Sequence, residues 1–281
     1  MTMTKTSRRL IFGTLTWVGV LLLLIWTLFP ITVMLFTSFK PGDEIFARPT
    51  RLLPQVWSLQ NYVKVFTNST VPQALRNSVL VGVLATAITM IFAVSAGYSL
   101  ARFRFRGARP LSLFILFGQF IPITVLLLPF FMAVNALGLI DTIPGVALAH
   151  LVITVPLVTW MVRNQIASVP YELEEAALID GASRFGAALR VTLPVAAPGI
   201  AASAIFSFLQ SWHEFVFASV ITQSISSMTG PIALTEFASE FNVDWGATMA
   251  ASVVLTAPVV IMFLLLQKYF VNGLTSGAVK G

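Results

Sequence analysis

Residues 10–36 read LIFGTLTWVGVLLLLIWTLFPITVMLF, without one charged side chain. A helix needs about 20 mostly apolar residues to cross about 30 Å of hydrocarbon, and this run exceeds that. Lys5, Arg8 and Arg9 precede it. That order has the layout of a secretory signal. Yet the run outlasts the usual signal core and no small-residue cleavage site interrupts it, so an uncleaved first span with a cytoplasmic N-terminus is expected.

The same texture recurs five times outward from this run. Further spans are expected at Asn77–Ala101, Pro110–Leu137, Gly145–Gln165, Val195–Thr222 and Ala247–Phe270. The whole chain is 57% hydrophobic and 10% charged. An ordinary soluble domain carries about 25% charged residues, so water cannot be the only solvent here. Backbone groups in lipid must bond within a helix or a closed barrel, and these runs are too continuously apolar for alternating barrel strands. The sequence therefore predicts an all-α polytopic membrane protein of one domain, residues 1–281, with six transmembrane helices and both termini cytoplasmic.

Charge distribution sets that orientation. The net charge is +6, which in a soluble chain raises the question of nucleic acid. Here the basic residues sit in short runs between spans, which fits anionic headgroups instead. The segment Arg102–Arg109 holds four arginines and no acid, and the connection after the fourth span holds Arg163, Arg184 and Arg190. Lys268 and Lys280 lie at the end of the chain. The short opposite loops carry only acids: Asp141 in one, and Glu236, Glu240 and Asp244 in the other. Residues 37–76 break the rule with Lys40, Arg48, Arg51, Lys64 and Arg76, but long loops obey it weakly. Four prolines make that loop irregular, and SLQNYVKVF from Ser58 to Phe66 fits a short amphipathic helix capped by Ser58. Pro30, Pro122, Pro129, Pro156 and Pro258 fall inside spans, where each frees a carbonyl and bends its helix. With no cysteine, disulfides and thiolate chemistry are excluded.

The longest cytoplasmic loop, residues 168–194, reads SVPYELEEAALIDGASRFGAALRVTLP. Pro170 suits a first helical turn, and Glu172, Glu174 and Glu175 follow where the helix dipole favours acids. Leu173, Ala176 and Ala177 share an apolar face. Gly181 permits a sharp change of direction, after which a second short helix is expected to end near Pro194. A helix–glycine–helix hairpin outside the membrane fits the groove of a partner protein.

At these residues the chain resembles the permease subunits of ABC importers. Glu175-Ala176-Ala177, Gly181 and Val191-x-Leu193-Pro194 are similar to their EAA motif, with valine where the family has isoleucine. Tyr171 and Asp180-Gly181-Ala182 resemble the carbohydrate branch, and residues 271–281 resemble the tail of maltose-type permeases. Ala136–Thr142 and Trp212-His213-Glu214-Phe215 are similar too, with histidine in place of the usual asparagine. The resemblance implies a sugar importer in the bacterial inner membrane. It implies a second permease subunit, two ATP-binding subunits and an extracytoplasmic sugar-binding protein. Glu174, Glu175, Ala176, Ala177, Asp180 and Gly181 would form the ATPase-coupling loop, and Asn272, Gly273 and Lys280 a C-terminal coupling tail. The residues agree on one point: no G-x-x-x-x-G-K-[ST] loop is present. No cofactor is expected on this chain, and ATP and magnesium belong to the partner ATPase.

Polar groups inside spans are the candidate substrate path. Glu214 is the only acid within a span, preceded by His213 and, one turn back, Gln210. The third span offers Gln119 and Asn135, and the fourth opens with His150. Trp212, Phe208, Phe120 and Phe131 offer flat faces for a sugar ring. Helix-to-helix hydrogen bonding is the structural alternative. No metal is expected, because no ligand pair has H-E-x-x-H spacing. A proton-coupled carrier using Glu214 and His213, or an intramembrane enzyme, are the competing functions.

Overall fold

The structure is a computed structural model that describes residues 5–238 and 243–275, with helical side chains described for residues 13–238 and 243–267. Thirteen α-helices run through these residues, and no strand is present among them. They are α1 (Lys5–Ser38), α2 (Gly42–Ile45), α3 (Gln60–Thr67), α4 (Val71–Arg102), α5 (Ala108–Phe117), α6 (Ile123–Ala136) and α7 (Ile143–Ser168). There follow α8 (Tyr171–Ile179), α9 (Arg184–Ala187), α10 (Leu193–His213), α11 (Val216–Ile221), α12 (Gly230–Ala233) and α13 (Trp245–Thr275). Five helices are long and apolar enough to cross a membrane, and a bent pair makes six if it counts as one span.

Two spans depart from the expected straight rods. The third is broken: Ala108–Phe120 and Ile123–Ala136 meet at 103°. Pro122 sits at the break with extended backbone, as a residue without an N–H and with fixed φ favours. The fifth, expected over 195–222, stops at His213, and Glu214 is extended before α11 begins. A further difference lies at its start. Pro194 does not end a short helix. The chain is helical from Arg184 to His213, because a π turn at Ala188–Thr192 absorbs the proline's missing hydrogen bond.

The residues group into two compact units. One comprises 1–69 and 236–256. Within it Asn61 donates to the carbonyls of Ser38 and Lys40 at 3.0 and 2.8 Å, and the Ser38 and Tyr62 hydroxyls lie 2.7 Å apart. The expected helix at Ser58–Phe66 is α3, starting two residues later with Leu59 and not Ser58 at its N-cap; the Ser58 hydroxyl accepts from the Gln60 N–H at 3.2 Å instead. Asp244 caps α13 by accepting from the Ala247 N–H, and pairs with Lys64 at 3.0 Å.

The other unit comprises 70–235 and 257–281. Its centre is α4 packed on α7 and α10. Small residues let these backbones approach. A Cβ on Gly97 would lie 3.0 Å from the Arg163 nitrogen, and the hydroxyls of Thr89 and Thr154 meet at 2.7 Å. One apolar cluster joins Val81, Val146, Phe217 and Ile221; a second joins Ala93, Val158, Val162 and Ile166.

Candidate functional site

The hairpin after α7 is fastened by one carboxylate. Glu174 is buried, at 4% exposure. Its Oε1 accepts from the Tyr98 hydroxyl at 2.5 Å and its Oε2 from the Thr192 hydroxyl at 2.9 Å. Arg102 Nε stands 2.9 Å from Oε2, an ion pair in which the N–H is not aimed along a hydrogen bond. Arg102 also donates to the Val169 carbonyl at 3.0 Å and lies over the Tyr171 ring. An acid taken from water must be paired and hydrogen-bonded, and here it is. Three segments, the end of α4, α8 and the π turn, are thereby joined at one point.

With Glu174 turned inward, the rest of α8 faces out. Glu175, Ala176, Asp180 and Gly181 are exposed and Ala177 is half-buried. Gly181 has φ +85°, a left-handed conformation that suits glycine. The Ala182 N–H then closes on the Ala177 carbonyl at 3.0 Å. Leu173, Ile179 and Phe185 are 44%, 86% and 74% exposed. Burying each such side chain is worth about 1.5–3 kcal/mol, so apolar groups left bare to water carry a cost that a covering surface would remove.

The polar groups of the fifth span serve a different end. Glu214 is buried, and its carboxylate accepts from the N–H groups of Phe217 and Ala218 at 2.8 and 3.0 Å, holding the first turn of α11. His150 of α7, fully buried, places Nε2 at 3.0 Å from Glu214 and Nδ1 at 2.7 Å from the Ser211 hydroxyl. The break in the helix cancels the expected shared face of Gln210 and Glu214. It also turns His213 outward, so that His150 and not His213 is the neighbour of Glu214. Trp212 is buried against Phe208 with ring centroids 5.6 Å apart. Gln210 is half-buried, and Gln119 and Asn135 are exposed. Gln119 and Phe120 line a cavity of about 360 Å³ at the bend of the third span. Irregular backbone at membrane depth is tolerated where it lines a cavity or is buried in protein.

On the other side of the spans, Asp141 organises a loop. Its φ is +56°, a conformation aspartate tolerates better than most residues. Its carboxylate accepts from the N–H groups of Gln223 and Ser224, both at 3.0 Å, and from the hydroxyls of Ser224 and Ser227, both at 2.6 Å. Desolvation raises its pKa, but these donors outweigh it and bring the value down to about 2. Asn77 donates to the carbonyls of Ile225, Ser226 and Met228.

Sequence reasoning missed Tyr98, Arg102 and Thr192 as anchors, and Asp141 as an organiser. The one signal for the former was an arginine ending an apolar run. Of the expected tail, Asn272 and Gly273 are described as helical backbone of α13, and Lys280 lies outside the described residues. Among the described residues no group of three His, Asp or Glu is placed to hold a metal ion.

The family described as "Binding-protein-dependent transport system inner membrane component" matches residues 89–276. The chain is 36% identical to the sulfoquinovosyl glycerol transport system permease protein SmoH of Agrobacterium fabrum, over 92% of this chain and 91% of the other. It is 34% identical to the trehalose/maltose transport system permease protein MalG of Thermococcus litoralis, over 94% and 95%. In fold it is similar to a chain of a bacterial ABC transporter involved in the import of the acidic polysaccharide alginate. That match has a TM-score of 0.82 at 23% identity and covers 96% of this chain and 99% of that one.

Proposed function

Because the chain belongs to the family of inner-membrane components of binding-protein-dependent transport systems, we propose that it is the permease subunit of an ATP-driven importer for a glycoside or oligosaccharide. It forms half of the translocation path beside a second permease chain. It engages a separate ATPase, which carries the ATP and magnesium, through the hairpin 171–192. An extracytoplasmic binding protein delivers the sugar.

The observation that carries this reading is the split between two adjacent acids. Glu174 is locked into the chain, while Glu175 is exposed beside a bare apolar surface formed by Leu173, Ile179 and Phe185. The lock holds the hairpin rigidly to α4, so a push on its outer surface moves the spans rather than the loop. The relatives that transport sulfoquinovosyl glycerol and trehalose or maltose support a sugar as cargo. The broken third span supports a path lined by Gln119 and freed backbone groups at the bend.

The test is transport into proteoliposomes holding this chain with its partner permease, ATPase and binding protein. Import of a disaccharide is expected to require ATP and to persist with proton uncouplers. Glu175→Lys is expected to abolish import and loosen the ATPase while the protein stays folded. Import by the purified chain alone, driven by a proton gradient, would overturn the reading.

A further inference from the structure

Where α4 ends, α5 begins and α7 passes, the structure has an open cavity of about 800 Å³. Arg104, Arg106, Arg109 and Arg163 all line it, and no acid does. Arg104, Arg106 and Arg109 are exposed, and among the described residues none of the four forms an ion pair. Arg163 is half-buried and lies over the Trp160 ring, 5.0 Å from its centroid. Its Nη1 donates to the Asn164 side chain at 3.2 Å, while its Nε is buried without an acceptor.

Four guanidinium groups around one cavity repel each other unless an anion sits among them. Guanidinium is the side chain best matched to phosphate oxygens, because its donors form a planar fork. The cavity also has apolar walls, including Leu113 and Phe105, both more than 40% exposed. It lies at the ends of apolar helices, and its tryptophan is a residue enriched at the membrane–water boundary. The basic loops place it on the cytoplasmic side, where the leaflet is anionic. A free phosphate would leave the apolar walls wet, and a zwitterionic lipid would leave the charge unbalanced.

We propose that this cavity binds the phosphate headgroup of an anionic phospholipid, with its glycerol and first acyl segments along Leu113 and Phe105. Native mass spectrometry tests this on the purified full chain in detergent. The probes are phosphatidylglycerol, phosphatidylcholine and soluble glycerol phosphate. Wild type is expected to retain phosphatidylglycerol selectively. Arg104→Gln/Arg106→Gln/Arg109→Gln is expected to weaken retention roughly a hundredfold, about fivefold per arginine. Arg48→Gln/Arg51→Gln/Arg76→Gln removes equal charge elsewhere and is expected to leave retention unchanged. A thermal melt verifies that each variant is folded, and the single variants Arg104→Gln and Arg106→Gln give the fivefold steps if the triple fails to purify. Equal retention of both lipids, an equal loss in the control variant, or glycerol phosphate binding as tightly as the lipid would overturn the proposal. So would expulsion of the lipid when partner permease and ATPase are bound, which would mean that protein covers the cavity. Retention is read without transport, so its outcome is independent of sugar import.

Discussion

The hairpin at 171–192 and the joint at 213–221 use the same chemistry for different ends. In each, a buried carboxylate fixes a short helix: Glu174 ties α8 to the end of α4, and Glu214 holds the first turn of α11. At the joint the side chains next to the carboxylate's two donors turn inward: Phe217, Ala218 and Ile221 are at most 1% exposed, while Phe215 and Val220, at 42% and 37%, face out. Around the hairpin the carboxylate is buried, but Ile179 and Phe185 are left bare. The first carboxylate closes a packed apolar cluster around its helix, whereas the second leaves large apolar side chains bare beside it. Anchoring and outward display are thus separate properties, carried in the hairpin by neighbouring residues.

Substitutions can pull these properties apart. Glu174→Ala has the largest expected effect on stability, roughly 3–5 kcal/mol, because it leaves Arg102 buried without its partner. A thermal melt and proteolysis of the hairpin would show it, and an unchanged melt would mean that the anchor is dispensable. Glu214→Ala comes next, at about 2–3 kcal/mol, since two backbone N–H groups lose a charged acceptor. A coupling energy near zero in a double-mutant cycle with His150→Ala would show that the pair contributes nothing and that capping alone explains Glu214. Gly181→Val forces a β-branched residue to φ +85°, which costs about 1–2 kcal/mol. Transport is expected to fall further than the melt, because the turn sets where Asp180 and Glu175 point.

The smallest stability effects are the most informative. Asp141, lowered to about 2, lends the outer loop stability that is complete above its unfolded value of about 3.9 and lost as pH falls through about 2. Hydrogen exchange at residues 222–228 is expected to quicken over that window in wild type and to be pH-independent, beyond the intrinsic rate, in Asp141→Asn. Glu175→Lys and Ile179→Ser are expected to change stability by less than about 0.5 kcal/mol, yet to weaken ATPase binding. If they unfold the protein instead, the contrast between anchor and display fails.

Much of the frame is local and so was legible. Run length alone places the ends of α1, α4, α7 and α13 within six residues of the expected spans, and Gly181 marks the turn it makes. The third and fifth spans were misjudged because apolar composition continues through their breaks. Pro122 and Glu214 end helices there, while Pro30, Pro129, Pro156 and Pro258 sit inside them unbroken. A proline or an acid in a run does not state whether remote groups will satisfy the backbone it frees.

What the residues determined unaided is the solvent, the succession of long apolar helices and the existence of an acidic hairpin, since each follows from a contiguous stretch. Tertiary structure alone decided which glutamate is buried, which histidine meets Glu214, and where four arginines gather. Tyr98, Arg102 and Thr192 reach Glu174 from segments up to 76 residues away. A carboxylate leaves water only when such partners converge on it, and convergence is a property of packing rather than of any one stretch.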